Sequence, residues 1–374
     1  MPGLFRRITK KFFIISNIIV ALLFLLGAYG GNFNPQYWWP LGFLTLACFY
    51  LLLALFLFIL FWFFVKPKWS LISIIAMLLA FKPIIHIIPL RFTAPFEKQK
   101  QAENLRIMSW NVEHFDILEH KTHPETKTAM LDLIAEYQPD IACYQEMVGS
   151  DSIPEAINYI PDMMEKASFK YYHYSYNPKV DFDGKHHFGI ITFSKYPIIN
   201  KQTISYYPYD YNSIFQYTDI VKDGDTFRVF NIHLQSLKFS SNNLKFIDNP
   251  EMKTQEDVKE SKKLLYKLKI GFLKRMTQSE RIKEEMNKSP YPVIVCGDFN
   301  DVPNSYAYNT IGKGLQNAFA EKGRGIGRTF SSISPTLRID NIFVAQQFEV
   351  EQYVRISKKL SDHFPVLTDV KFKK

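Results

Sequence analysis

The sequence predicts an α+β fold, two β-sheets packed face to face with helices outside, set behind three transmembrane helices. Three observations carry this expectation. The first quarter of the 374 residues is made of three long apolar runs. Downstream, apolar runs of strand length alternate with a few stretches of helical period. Where those runs end, carboxylate, amide and imidazole side chains recur, in the position from which a rigid sheet holds functional groups over a cleft.

The apolar runs cover residues 12–29, 38–65 and 69–90, each near or above the ~20 residues that cross hydrocarbon. A cleavable signal peptide would show one apolar core of about 7–15 residues with no further spans behind it, so residues 1–92 read as a three-helix anchor in a lipid bilayer. Trp38 and Trp39 beside Pro40, and Trp62 and Trp69 around Lys66-Pro67-Lys68, sit where amphipathic rings favour the water interface. Arg6, Arg7, Lys10 and Lys11 precede the first run, no cation lies in 30–37, and Lys66 and Lys68 occupy the second connection. By the positive-inside rule the N-terminus is cytoplasmic and the C-terminal region exoplasmic, which in a Gram-negative bacterium means a cytoplasmic-membrane protein facing the periplasm. Lys82 and His86 beside Pro83 weaken the third run, because a central Lys costs about 2.5–3.5 kcal/mol. Were that run only to lie on the surface, the domain would face the cytoplasm.

The net charge of +9 would suit a polyanion binder, but its distribution points elsewhere. Residues 1–100 hold ten Lys and Arg against one acid, Glu97, leaving 35 basic and 35 acidic residues after them. The excess belongs to the anchor, and only a local basic groove remains open downstream. Cys48, Cys143 and Cys296 all lie in apolar segments without C-x-x-C spacing, so core thiols are expected and zinc or redox chemistry is not.

Residues 93–103 are short, polar and Pro-containing and read as a linker, with a second domain over 104–374. Strands are expected at 105–111, 141–145, 188–193, 226–234, 293–296 and 340–344, and helices at 127–137 and 256–288. The pair Asp223-Gly224 between two alternating runs predicts a hairpin. Residues 236–281 form a long Lys-rich connection, read either as a solvated helix packed on the sheet or as a lid or membrane-contact helix.

Chemistry concentrates at strand ends. Ser109-Trp110-Asn111-Val112 ends one apolar run on an amide, and Tyr144-Gln145-Glu146 ends another on a carboxylate. In Gly297-Asp298-Phe299-Asn300 a buried strand runs into a carboxylate and an amide two apart, a pair able to orient and deprotonate a water, although an Asx turn would use the same residues. Arg338-Ile339-Asp340-Asn341 places an acid in an apolar strand that needs a partner, which His363 of Ser361-Asp362-His363-Phe364 can supply. Asn231-Ile232-His233-Leu234 adds a second imidazole.

Taken in order, these six segments resemble the endonuclease/exonuclease/phosphatase superfamily, whose members look like pancreatic deoxyribonuclease; Phe188-Gly189 through Pro197 is similar to a structural strand of that family. The resemblance spans about 105–374 and implies a four-layer α/β/β/α sandwich of two mixed sheets. It further implies that Asn111 and Glu146 hold a divalent metal, Mg²⁺ or Mn²⁺, with Asp362 near it. His233 and His363 would contact the scissile phosphate, Asp340 would orient His363, and Asp298 with Asn300 would manage the attacking water or leaving oxygen. Oxygen ligands and few carboxylates suit a hard cation. Arg338 is expected on the substrate. The reaction class is phosphoester hydrolysis, on a lipid headgroup or another surface phosphoester; a membrane-tethered nuclease and a catalytically silent, membrane-bound interaction domain are the competing readings.

Overall fold

The computed structural model describes residues 2–373 except 90, 92–93, 151–155, 181–183, 206–213 and 238–254. Its twelve strands are β1 (Leu105–Asn111), β2 (Ile141–Gly149), β3 (Tyr171–Tyr176), β4 (His187–Ser194), β5 (Ile198–Ser205), β6 (Ile214–Lys222), β7 (Asp225–His233), β8 (Val293–Asp298), β9 (Leu315–Asn317), β10 (Asp340–Ala345), β11 (Phe348–Arg355) and β12 (Val366–Phe372). They form two mixed six-stranded sheets, ordered β11-β12-β1-β2-β4-β3 and β5-β6-β7-β8-β10-β9. Each sheet has one parallel pair near its middle, β1 with β2 and β7 with β8, and antiparallel neighbours outside it. Parallel strands need a long crossover. Helix α7 (Pro124–Tyr137) lies in the first such connection and α9 (Gln255–Asn287) in the second, as the helical periods predict, with the short α8 (Ile160–Lys166) between β2 and β3.

The central strands are buried along their whole length, which is why they read as unbroken apolar runs. Ile107, Cys143, Val229, Ile294, Cys296 and Ile342 fill the space between the sheets, and all three thiols are buried as expected. The predicted hairpin is present: β6 and β7 pair up to Lys222 and Asp225, and both turn residues are left-handed, Asp223 at φ 53 and Gly224 at φ 91. Asn231 pins the sheets together, donating to the carbonyls of Tyr144 (3.2 Å) and Ile191 (2.8 Å) and accepting from Gln145 (2.8 Å). Strands β3, β5, β9 and β11 had no counterpart among the expected segments. The first three lie at sheet edges and β11 closes an edge with a bulge between Val350 and Gln352. Edge strands bury one face at most and carry polar residues such as Asn200-Lys201-Gln202.

The N-terminal region is helical: α1 (Pro2–Ala28), α2 (Pro35–Trp38), α3 (Pro40–Leu46), α4 (Cys48–Val65), α5 (Ser70–Leu79) and α6 (Phe81–Ile87). Two stretches, Phe5–Ala28 and Cys48–Val65, are single helices long and apolar enough to cross a membrane. The run over 38–65 is therefore not one helix, since α3 and α4 break at Ala47 and Pro35 and Pro40 restart the chain. The run over 69–90 is a pair, Pro67–Leu79 and Phe81–Ile87, bent by 74°. Phe13 packs on Phe61 (4.8 Å), so α1 and α4 run antiparallel, and the Tyr29 hydroxyl donates to the Leu79 carbonyl (2.6 Å), so α5 runs back beside α1.

The rest of the molecule docks where α1 ends. Gly31 lies so close to the backbone of Asn304 and Ser305 that a Cβ would come 2.2 Å from the Asn304 oxygen. Phe43 meets Phe272 of α9 edge-on at 5.5 Å, and Tyr50 is 2.9 Å from Ser334. Residues 94–103 do not hang free. Arg106, buried and paired with Asp369 (2.7 and 2.8 Å), also donates to the Glu97 and Lys98 carbonyls and stacks on Phe96, strapping the expected linker to the sheet.

Candidate active site

The topology aims the polar strand ends at one rim. Asn111 closes β1 beside Gln145 of β2, and one residue on Glu146 sits in a bulge, at φ 53, between Tyr144 and Met147. In the facing sheet His233 of β7 is level with Asp298 of β8, and Asp298 is level with Asp340 of β10. Asn300 turns the chain out of β8 at φ 49, an angle Asn tolerates. Glu146, left-handed without that tolerance, is strained backbone in the place where side-chain direction matters most.

These side chains meet. Asn111 Nδ2 donates to Glu146 Oε1 and Asp298 Oδ2, both at 3.2 Å. His233 Nε2 is 3.6 Å from each of those carboxylates, is buried, and has no hydrogen-bond partner among the described residues. Asp298 accepts from the Asn300 backbone N–H (2.8 Å) and from its side-chain amide (3.1 Å). His363 Nδ1 lies 2.9 Å from Asp340 Oδ2, and its Nε2 is 3.6 Å from Asp298 and 3.9 Å from Asp362. Trp110 Nε1 donates to the His363 carbonyl, and the Thr329 hydroxyl accepts the Asp340 N–H, fixing both partners.

Protonation follows from this crowding. Burial by itself would lower the His363 imidazole, but Asp340 and then Asp298 outweigh it and hold it protonated up to about 10. Burial, seconded by Asp340, pushes the Asp298 carboxyl up against the pull of His363 and His233. Glu146 goes the other way: burial would raise it, and His233, His114 and the Asn111 amide together bring it below the usual range. Asp362 is pushed up to about 7, by burial first and by Glu113, Glu146 and Asp298 after it, with His363 opposing.

Two neighbours lay outside the sequence reading. Glu113 accepts the Asp362 N–H (2.8 Å), and His114 Nε2 lies 3.5 Å from Glu146 Oε2. Both sit in a left-handed stretch with φ 45 and 59, which has no period to read; the only signal was that polar residues follow directly on Asn111. Arg338, expected on the substrate, is corrected by its surroundings. It is buried at 1% exposure, stacks 3.9 Å over Phe319, and donates to the carbonyls of Ile87 (3.1 Å), Ile326 (2.9 Å) and His86. Its donors join the N-terminal helices to the sheets and do not face the cleft.

Four carboxylates, Glu146, Asp298, Asp340 and Asp362, thus converge, and among the described ion pairs histidines are their only cationic partners. Such an excess of oxygen and negative charge fits a hard divalent cation. Asp298, Asp340 and His363 have ligand atoms within 4.8 Å of one another. A metal-bound imidazole must however be neutral with a free lone pair, whereas His363 is held as a cation by Asp340. Glu146, ionised and 30% exposed, is the better-placed ligand, with Asn111 against it.

Among known proteins, the sequence profile of the Endonuclease/Exonuclease/phosphatase family matches residues 108–363, and a domain of unknown function (DUF8431) matches residues 10–87. No curated protein matches the chain. A family protein of this kind from Leptotrichia buccalis is similar in structure at 19% identity and TM-score 0.51, covering 72% of this chain and 100% of its own. One from Bacteroides thetaiotaomicron has 19% identity and TM-score 0.52, covering 74% and 100%. The human Nocturnin catalytic domain with bound sulfate anion has 17% identity and TM-score 0.50, covering 73% and 95%. At these identities the likeness establishes the fold.

Proposed function

The chain belongs to the endonuclease/exonuclease/phosphatase family, whose members hydrolyse phosphoester bonds, and from that premise we propose that it is a membrane-anchored, metal-dependent phosphoesterase acting on a phosphodiester or phosphomonoester. The observation that carries the reading is the convergence of Glu146, Asp298, His233 and His363, from four chain segments and both sheets, on one rim within 3.6 Å links. In this proposal Glu146 and Asn111, with Asp362 near, hold Mg²⁺ or Mn²⁺. The bound cation supplies charge against the phosphoryl oxygens.

The chain's own residues supply the rest. His233 Nε2 has no partner among the described residues and can donate an N–H, so a phosphoryl oxygen completes its hydrogen bonding. His363, kept charged by Asp340, donates to the same group. Asp298, its carboxyl raised by burial, takes a proton from water that the Asn300 amide orients.

Residues 1–92 serve as the anchor, 93–103 as a strapped connection and 104–374 as the catalytic domain. The cations Arg6, Lys10, Lys66 and Lys68 gather at one end of the helices and the catalytic domain docks at the other, which supports a cytoplasmic N-terminus and an exoplasmic domain. That placement, with a charge-neutral domain, favours a lipid headgroup over bulk nucleic acid. The test is the full chain in nanodiscs, assayed with Mg²⁺ and Mn²⁺ on phospholipids, inositol phosphates and DNA, beside Glu146→Ala. Lipid or inositol-phosphate turnover lost in the variant supports the reading. Salt-sensitive DNA cleavage alone would make it a tethered nuclease, and no turnover with either metal would make it an interaction domain.

A further inference from the structure

Helix α9 is longer than its packing requires. Its C-terminal half is core, with Phe272, Met276, Ile282 and Met286 buried. The first half, residues 255–270, leaves large apolar side chains in the open: Val258 at 39%, Leu265 at 51% and Tyr266 at 65% exposure. Their spacing is informative. Val258, Leu265 and Phe272 are seven apart, so they share one face of the helix, and Lys262 and Lys269, also seven apart, run beside them.

That face already has a partner at its inner end. Phe272 abuts Gly42 and Phe43, and the Lys269 ammonium lies 4.8 Å over the Trp39 ring. Trp39 and Phe43 belong to the segment that joins the two single-helix spans, α1 and α4, the level at which aromatic rings mark the bilayer surface. The stripe therefore starts at the anchor and continues outward, over the residues before Phe272, for about 20 Å at the ordinary helical rise. Asp257 and Glu260 fall off it. Apolar side chains flanked by lysines on the anchor side of a helix match an interface of acyl chains below anionic phosphates.

We propose that residues 255–270 form an interfacial arm that lies on the outer surface of the anchor's own bilayer, with Val258, Leu265 and Tyr266 among the upper acyl carbons and Lys259, Lys262 and Lys269 against anionic lipid headgroups. The arm crosses from the lipid surface to the catalytic loop. Arg275, ten residues and so nearly three turns beyond Leu265, pairs with Asp301 (3.0 Å), three residues past Asp298. Lipid contact at one end of α9 thus bears on the segment that holds Asp298 and Asn300.

The inference rests on the anchor's being embedded and is tested apart from catalysis. Spin labels are placed at Leu265→Cys, at Lys263→Cys on the opposite face, and at Leu57→Cys on α4, in full chain reconstituted into nanodiscs of zwitterionic lipid or of zwitterionic lipid with about one quarter anionic lipid. Collision with oxygen and with a water-soluble nickel chelate reports depth. The expected result is Leu57 shielded from nickel throughout, Leu265 shielded several-fold more than Lys263, and a gain in that contrast with anionic lipid that Lys259→Gln/Lys262→Gln removes. Equal nickel access at positions 265 and 263 in both lipids overturns the arm, and shielding indifferent to lipid charge overturns its specificity. Nickel access at Leu57 would overturn the anchor and the arm with it.

Discussion

Replacing Asp340 by Asn removes one charge and keeps the side chain's volume. Asp340 Oδ2 is 2.9 Å from His363 Nδ1, and the imidazolium it supports persists to about 10 against an ordinary 6.5. That is three decades or more in proton affinity, on the order of 4 kcal/mol. Asp340 is the largest charge favouring the imidazolium, Asp298 the next, and burial opposes both. Without Asp340 only Asp298 and Asp362 remain to oppose burial, so the ring's proton affinity falls and with it the fraction charged at about pH 8. Loss of that charge and of the ring's orientation predicts a fall in kcat of about 100- to 1,000-fold at this pH, and a smaller deficit in more acid buffer. The assay is the pH profile of phosphoester hydrolysis by full chain in nanodiscs with Mn²⁺. The native alkaline limb should lie far above neutrality and that of Asp340→Asn near it. Stability gives a second readout. A folded value above the unfolded one stabilises fully below 6.5 and loses its contribution as pH rises through about 10, so the two proteins' melting temperatures should differ most in acid and approach each other in base. A variant with native kcat at about pH 8, or with an unmoved alkaline limb, would refute the reasoning.

Glu146→Gln keeps the hydrogen bond from Asn111 and removes the anionic ligand; the concentration of Mn²⁺ needed for half-maximal activity should rise about 10- to 100-fold, read by metal titration. Because Asp362 is raised to about 7, cation binding in mildly acid buffer should release about one proton and in mildly alkaline buffer almost none, measured by calorimetry in buffers of different ionisation heat. Arg338→Met leaves the carbonyls of His86, Ile87 and Ile326 without their donor; a loss of about 2–4 kcal/mol is expected, seen as a lower thermal midpoint and faster proteolysis between anchor and domain. Asn231→Leu strands the buried carbonyls of Tyr144 and Ile191 and should cost about 2–4 kcal/mol by denaturant titration in detergent.

What the sequence could reveal depended on burial. β8 reads clearly because both of its faces are covered, so Val293 to Cys296 must all be apolar and the polar Asp298 stands out against them. β3, with its Tyr and His residues at a sheet edge, follows no such rule. The rim residues were legible for a related reason: Asp340 and His363 are polar groups in apolar surroundings, and each needs the other. Glu113 and His114 occupy irregular left-handed backbone, where position along the chain says nothing of direction. Arg338 was misread because a buried guanidinium can be satisfied by backbone carbonyls, here from residues 251 and 252 positions away. The hydropathy of the N-terminal helices was plain, yet the 74° bend at Ala80 leaves no trace in an average over apolar residues.

The Arg106 clasp on residues 94–103 sets how this protein can search for its substrate. A slack leash would let the cleft sweep a hemisphere; a tether stitched to the sheet from residue 94 onward shortens that leash. For a substrate held in the same bilayer as the proposed anchor, encounters would occur by sliding in a plane, and their frequency would scale with molecules per unit area and with bilayer viscosity, not with bulk concentration.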